Sequence, residues 1–246
     1  MTSECARLSR YGLLAVTGAD ARTFLHAQLT NDIASLPSDH AALAGWCTAK
    51  GRLLASMLVI PRAEGFLLQL AKDLAPAIAK RLSMYVLRSK VKIADESDAW
   101  AQYGVWDSGL KVSGVAWDGD VVTVRVDEGR FLRMGPAAKF SPAATKPEEA
   151  WTLEEIRAGR PLISAATQDK FVPQMVNFEA LGAVSFQKGC YPGQEIVARA
   201  QYRGEVKRRM VRVQVPAGTE LKPGQEFNGG VVLDSAVGEA LAVMPV

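Results

Sequence analysis

Two rhythms of apolar and polar positions alternate along this chain. Leu13 to Val16 form a short apolar run that stops at Gly18, and Asp20 then stands where it can cap a helix carrying Phe24, Leu25, Gln28 and Leu29. Three apolar runs follow, Ala41 to Thr48, Leu53 to Ile60 and Phe66 to Leu70, punctuated by Lys50-Gly51-Arg52 and Ala63-Glu64-Gly65, which predicts a meander of strands. Leu74, Ile78, Leu82 and Tyr85 fall at near-helical spacing, so a helix is expected behind Asp73 as its cap, with Pro76 in its first turn. Val91 to Ile93 starts another strand. Residues 101–135 alternate with the strand period, setting Val122, Val124 and Val126 opposite Val121, Thr123, Arg125 and Asp127, with turns at Gly119 and Gly129.

Residues 136–147, rich in Pro, Ala, Ser and Lys, read as an exposed loop or linker. A helix is predicted from Glu148 to Ala158, ended by Gly159 and Pro161. Residues 162–192 carry no sustained period beyond a turn of helix near Phe178. Strands return at Val206 to Val215, Val231 to Asp234 and Val237 to Val243, and there is no tandem repeat. This order of elements is α+β rather than a doubly wound parallel sheet.

Composition narrows the function classes. The chain has 246 residues, 48% of them hydrophobic, enough for a sizeable core in one large or two smaller domains. A formal net charge of +3 does not by itself call for a polyanionic partner. Cys5, Cys47 and Cys190 are scattered and odd in number, with no CxxC spacing, so a reducing cytoplasm is the expected compartment. His26 and His40 are the only histidines, which leaves no histidine/cysteine metal site and no ligand set for a bound iron–sulfur cluster. Residues 1–11 show no signal or transit segment and no run reaches membrane-spanning length, so a soluble, unprocessed protein is expected. No dinucleotide or phosphate-loop glycine pattern is present; Gly45 to Arg52 lacks the closing Lys-Ser/Thr.

The densest chemistry lies in Lys188-Gly189-Cys190-Tyr191-Pro192-Gly193-Gln194-Glu195. Pro192 is pre-set for a first helical turn that Gln194 to Ala198 continue. A thiol before a helix N-terminus feels the positive end of the dipole, and Lys188 adds a second positive charge; both favour thiolate. The bland alternative is an inert buried cysteine, which the charged, glycine-rich neighbours argue against. Gln194 and Glu195 either orient the Cys190 loop or are plain first-turn residues.

The wider segment reads as one signature: Phe171-Val172-Pro173-Gln174, Asn177, Leu181-Gly182-Ala183-Val184-Ser185-Phe186, the Lys188 to Glu195 run, Val197-Ala198-Arg199 and Arg203-Gly204. With Val16-Thr17-Gly18-Ala19-Asp20, Phe24-Leu25, Gln28-Leu29-Thr30-Asn31-Asp32 and Ala49-Lys50-Gly51-Arg52, the chain strongly resembles the YgfZ family over most of residues 10–210. Members of that family are folate-binding relatives of the glycine-cleavage T protein that act in iron–sulfur cluster maintenance and tRNA modification. Pro192 stands where members commonly carry threonine, and the chain is shorter than usual in the middle and at the C-terminus.

The resemblance implies intertwined α+β subdomains over residues 1–203 and a small C-terminal β-barrel over 204–246, arranged around a central folate channel. It implies tetrahydrofolate or a derivative as cofactor, iron–sulfur client or assembly proteins as partners, and Cys190, with Lys188, Tyr191, Gln194 and Glu195 around it, as a functional thiol. It places Tyr11 and Trp151 where members set aromatic rings against folate; core packing is the alternative. Asp73 is the counterpart of a T-protein carboxylate that engages folate, although helix capping explains it better. Lys50, Arg52 and Lys188 either bind the glutamate tail or a phosphate, or are solvated turn charges.

The basic stretch Arg199, Arg203, Lys207, Arg208, Arg209 and Arg212 reads either as a polyanion contact, for the folate polyglutamate tail or RNA, or as a solvated strand face; RNA is the less favoured, because no aromatic RNA-binding signature accompanies the stretch. The leading expectation is therefore a tetrahydrofolate-binding assembly or repair factor. A tetrahydrofolate-dependent aminomethyltransferase is the alternative. A thiol hydrolase or transferase ranks third, since a cysteine nucleophile ordinarily needs a histidine base, and both histidines are distant in sequence.

Overall fold

The structure is a computed structural model that describes residues 4–107 and 109–246. Its first antiparallel sheet is ordered β3-β4-β5-β2-β6 and comprises β2 (Tyr11–Thr17), β3 (Ala42–Cys47), β4 (Leu53–Arg62), β5 (Gly65–Ala71) and β6 (Lys92–Asp95). The second is ordered β1-β7-β10-β9-β8, with β1 (Glu4–Arg7), β7 (Trp100–Trp106), β8 (Val115–Asp118), β9 (Val121–Asp127) and β10 (Arg130–Pro136). The chain thus begins in the second sheet, builds the first, and returns. Helices α1 (Ala21–Gln28) and α2 (Ala75–Ser83) belong to the first sheet's connections, and α3 (Glu148–Arg157) follows the second.

Both faces of the first sheet are buried, which is why its strands read as unbroken apolar runs instead of alternating ones. Leu14, Val16 and Leu68 pack with Phe24, Leu25 and Ile78 of the helices. Leu13, Ala15 and Leu67 of the same strands join Val122, Val124 and Leu132 of the second sheet. The period predicted for residues 121–127 is visible here: Val122 and Val124 face inward while Arg125 is exposed.

The C-terminal strands β11 (Arg208–Gln214), β12 (Glu226–Phe227), β13 (Gly230–Ala236) and β14 (Glu239–Pro245) form a third antiparallel sheet ordered β11-β14-β13-β12. Its two outer strands do not pair with each other, so among the described residues this region is an open sheet and not a closed barrel. The two-residue β12 carries no periodic signal and was not foreseen from the sequence.

Three local expectations are corrected. Asp20 occupies the position before α1 but makes no side-chain cap; its carboxylate instead accepts the Lys90 backbone N–H at 2.7 Å, tying the loop before β6 to the helix start. Asp73 does not cap α2 either. A 3-10 turn over Lys72–Leu74 intervenes, so Leu74 holds the cap position and the Asp73 carboxylate accepts from the Ala165 N–H at 3.1 Å. The last helix, α4 (Gln194–Tyr202), starts two residues beyond Pro192, because Gly193 takes a left-handed conformation (φ 81°) that breaks the turn first.

Candidate functional site

A cavity of about 390 Å³ lies between the first and second sheets beside the end of α3. Its walls are apolar, drawn from Leu43, Met57 and Leu58 on one sheet, Val124 and Leu132 on the other, and Leu162 beyond α3. Polar groups enter from a few fixed points, which is the usual make-up of a small-molecule site. Ser56 and Gln69 reach it from β4 and β5. The Gln69 amide donates to Gln102 Oε1 at 2.8 Å, and Gln102 donates to the Tyr11 carbonyl at 3.0 Å, so the Gln69 side-chain oxygen is held in a set orientation.

Charged groups enter the cavity from α3 and from the strands it faces. Glu155 Oε1 accepts from Arg130 Nη1 at 3.0 Å, and its other oxygen lies 3.3 Å from Arg160 Nε. Asp127 completes the group, accepting from Arg130 Nε at 3.0 Å and from Arg160 Nη2 at 2.5 Å. Burial raises Glu155, while Arg160 and Arg130 oppose that shift. Asp127 is only partly buried; that burial pushes it up, yet the bonds and charges of Arg130 and Arg160 outweigh it and hold the carboxyl below its usual range. Burial, reinforced by Glu155, pushes the Tyr11 phenol up, so it remains a protonated O–H donor. The cavity therefore pairs an apolar slot with an anchored carboxylate and a phenol.

Trp151 lines this cavity and is 2% exposed. A Cβ on Gly104 would fall 2.1 Å from the Trp151 ring, so the glycine in β7 makes room for the indole. The Arg130 guanidinium lies 5.1 Å from the ring centroid, and Trp106 meets it edge-on at 5.4 Å. With this much of its surface occupied by protein, Trp151 serves chiefly as a wall.

The Cys190 loop is a separate place. Cys190 is exposed, whereas Cys5 and Cys47 are buried. Lys188 is buried: its ammonium donates to the carbonyls of His26 and Leu29 at the end of α1 and lies 5.0 Å from the Tyr191 ring centroid. It is thus a C-terminal cap for α1 supplied from far along the chain. Burial pushes this lysine down to about 8, with Asp32 opposing the shift. Burial raises the Tyr191 phenol and carries the Cys47 thiol up to about 12. α4 begins four residues after Cys190, and the Lys188 ammonium is bonded to the end of α1.

The same docking brings the two sequence signatures together. Gly193 lies against the turn before β4, where an added Cβ would fall 2.4 Å from the Thr48 carbonyl oxygen and 2.6 Å from the Gly51 Cα. His26 also reaches this loop, its Nε2 being 3.8 Å from where a Gly189 Cβ would sit, while its Nδ1 lies 3.1 Å from Asp32 Oδ1.

Of the residues nominated from the sequence, Tyr11 and Trp151 meet in the cavity, and Lys188, Cys190, Tyr191, Gln194 and Glu195 form the second locus. Asp73, Lys50 and Arg52 are exposed and do not line the cavity. Arg52 donates to the Lys170 carbonyl at 2.8 Å, which makes it a loop fastener. Sequence reasoning missed Glu155, Arg160, Asp127, Gln69 and Ser56. One signal was available, since Trp151 and Glu155 are four residues apart on one helix and so share a face. Among the described residues no His, Cys, Asp and Glu group could hold a metal ion, and no helix is long and apolar enough to cross a membrane.

The fold is that of a glycine-cleavage aminomethyltransferase of the T type. A crystal structure of the glycine cleavage system aminomethyltransferase T from Bartonella henselae superposes with a TM-score of 0.74 over 99% of this chain and 78% of that one, at 17% identity. No family model matches the chain. Curated relatives do: an uncharacterized protein of Haemophilus influenzae is 35% identical over 92% of this chain and 78% of its own length. The tRNA-modifying protein YgfZ of Serratia proteamaculans is 32% identical over 93% of this chain and 79% of its own length, and that of Vibrio atlanticus is 31% identical over 94% and 75%. The chain belongs to the YgfZ family.

Proposed function

We propose that this protein is a tetrahydrofolate-binding accessory factor that supports iron–sulfur cluster assembly or repair in client enzymes, including tRNA-modifying ones, with Cys190 as its working thiol. The carrying observation is the cavity between the two sheets, where apolar walls meet the Glu155 carboxylate and the Tyr11 phenol. A pterin is flat and has an amino and amide edge that donates hydrogen bonds; a carboxylate can only accept, so Glu155 suits that edge and Tyr11 suits an acceptor beside it. The YgfZ relatives, named as tRNA-modifying proteins, supply the client class.

The accessory role is preferred to aminomethyl transfer. Asp73, the residue that the resemblance sets against the T-protein carboxylate, is exposed, accepts from the Ala165 N–H and does not line the cavity. Calorimetric titration with tetrahydrofolate tests the binding half. Saturable binding is expected, weakened about tenfold or more by Glu155→Gln, the loss of one charge-assisted hydrogen bond. Trp151→Ala serves as the harsher variant, and its melting temperature must be checked beside it. Absence of binding in the wild type sinks the folate reading. The thiol half rests on cells lacking the protein: if Cys190→Ala fully restores client-enzyme activity there, the cysteine has no such role.

A further inference from the structure

Arg125 and Arg160 are the cations that line the cavity. Arg160 is neutralised by Asp127 and Glu155. Arg125 is exposed and, among the described residues, has no carboxylate partner; its Nε reaches only the Asp127 carbonyl, at 3.3 Å. It also lines a second, open depression with Lys111 and Ser113, so this one side chain stands where the cavity gives out to the surface. Its backbone is fixed by the ladder to β10 and by donation of its N–H to the Gly114 carbonyl at 2.7 Å. A guanidinium without an ion pair among the described residues, on a fixed strand at the mouth of an apolar slot, is suited to a planar anion carried by whatever fills the slot.

Resting on the folate reading above, we infer that Arg125 is a specificity residue that binds a carboxylate of the ligand's tail, so the cavity takes carboxylate-tailed pteridines in preference to bare pterins. The pterin end lies against Glu155 and Tyr11, and the tail leaves past Arg125. Asp107 and Glu128 line the outer depression as well, with Asp107 accepting from the Gly109 N–H at 2.8 Å. They disfavour a tail that runs deep into that depression and concentrate the attraction at Arg125 itself. Lys50, Arg52 and Lys188, basic residues that the sequence offered for the tail, line neither the cavity nor the depression.

The test is calorimetry of the full chain with two ligands, tetrahydrofolate and 6-methyltetrahydropterin, which lacks the aminobenzoyl-glutamate tail. Arg125→Ala is expected to weaken tetrahydrofolate about tenfold or more and leave the methylpterin unchanged, with Arg125→Lys recovering part of the loss. Wild-type affinity for tetrahydrofolate should fall with added salt, and more steeply than in Arg125→Ala. Equal losses for both ligands, or no loss for either, overturn the inference while leaving the folate reading standing. A wild-type protein that binds neither ligand removes both together.

Discussion

Lys188 shows most clearly how a residue's meaning depends on where its side chain goes. In sequence it stands two places before Cys190 and looks like a modulator of the thiol. In the fold its ammonium is the pin that fixes the Cys190 loop to the last carbonyls of α1. Lys188→Met leaves those carbonyls without their donor, and a stability loss of about 2–3 kcal/mol in chemical denaturation is expected. Its titration gives a second signature. Folding lowers the lysine from 10.5 to about 8, so between those values the unfolded chain binds more protons than the folded one. The wild type should therefore gain stability from this group as pH rises from about 8 toward 10.5, and Lys188→Met should lack that gain. A denaturation midpoint measured across that range decides it; parallel curves for the two proteins would refute the assignment.

At the scale of elements, glycines set which pieces of chain can approach each other. Gly193 is left-handed and lies against the backbone of the turn before β4, so Gly193→Ala meets both conformational strain and a 2.4 Å contact with a backbone oxygen that cannot swing aside. The expected result is a loss of more than about 2 kcal/mol together with faster alkylation of Cys190, because the loop loses its seat on α1 and on the turn before β4. Unchanged alkylation, followed by mass spectrometry of the Cys190 peptide, would show that the loop is held by Lys188 alone. Gly104 acts in the same way for Trp151, clearing the space that lets α3 bring Glu155 to the cavity. The strands of the first sheet were legible because unbroken apolar runs between turn residues have few other readings. Helix starts were less so: Asp20 and Asp73 carry the right chemistry for caps, but Lys90 and Ala165, distant in sequence, offer their N–H groups instead.

Across the whole molecule, the third sheet is fastened to the rest by Arg10, which reaches from the loop before β2 to Asp234 of β13 at 2.8 Å and to Thr152 of α3 at 2.9 Å. Burial raises the Asp234 carboxyl, and Arg10 opposes the rise. Arg10→Met strands that carboxylate, with an expected cost of about 3–5 kcal/mol near neutral pH. Without the arginine the folded-state value climbs further above the unfolded one, so folded protein holds an extra proton as pH falls. The deficit relative to wild type should accordingly shrink toward pH 5; a deficit that does not change with pH would mean that Arg10 matters only through packing. The sequence by itself determined the α+β class and the family, and it nominated Tyr11, Trp151 and Cys190, because periodicity, turn residues and motif spacing are properties of neighbours along the chain. It could not decide that Glu155, Asp127 and Arg160 form one charged group, that Arg125, among the described residues, lines the cavity without an ion-pair partner, or that Lys188 bonds to the end of α1. Most of those outcomes depend on distances between residues tens to more than a hundred positions apart, which only the packing of the two sheets and their helices fixes.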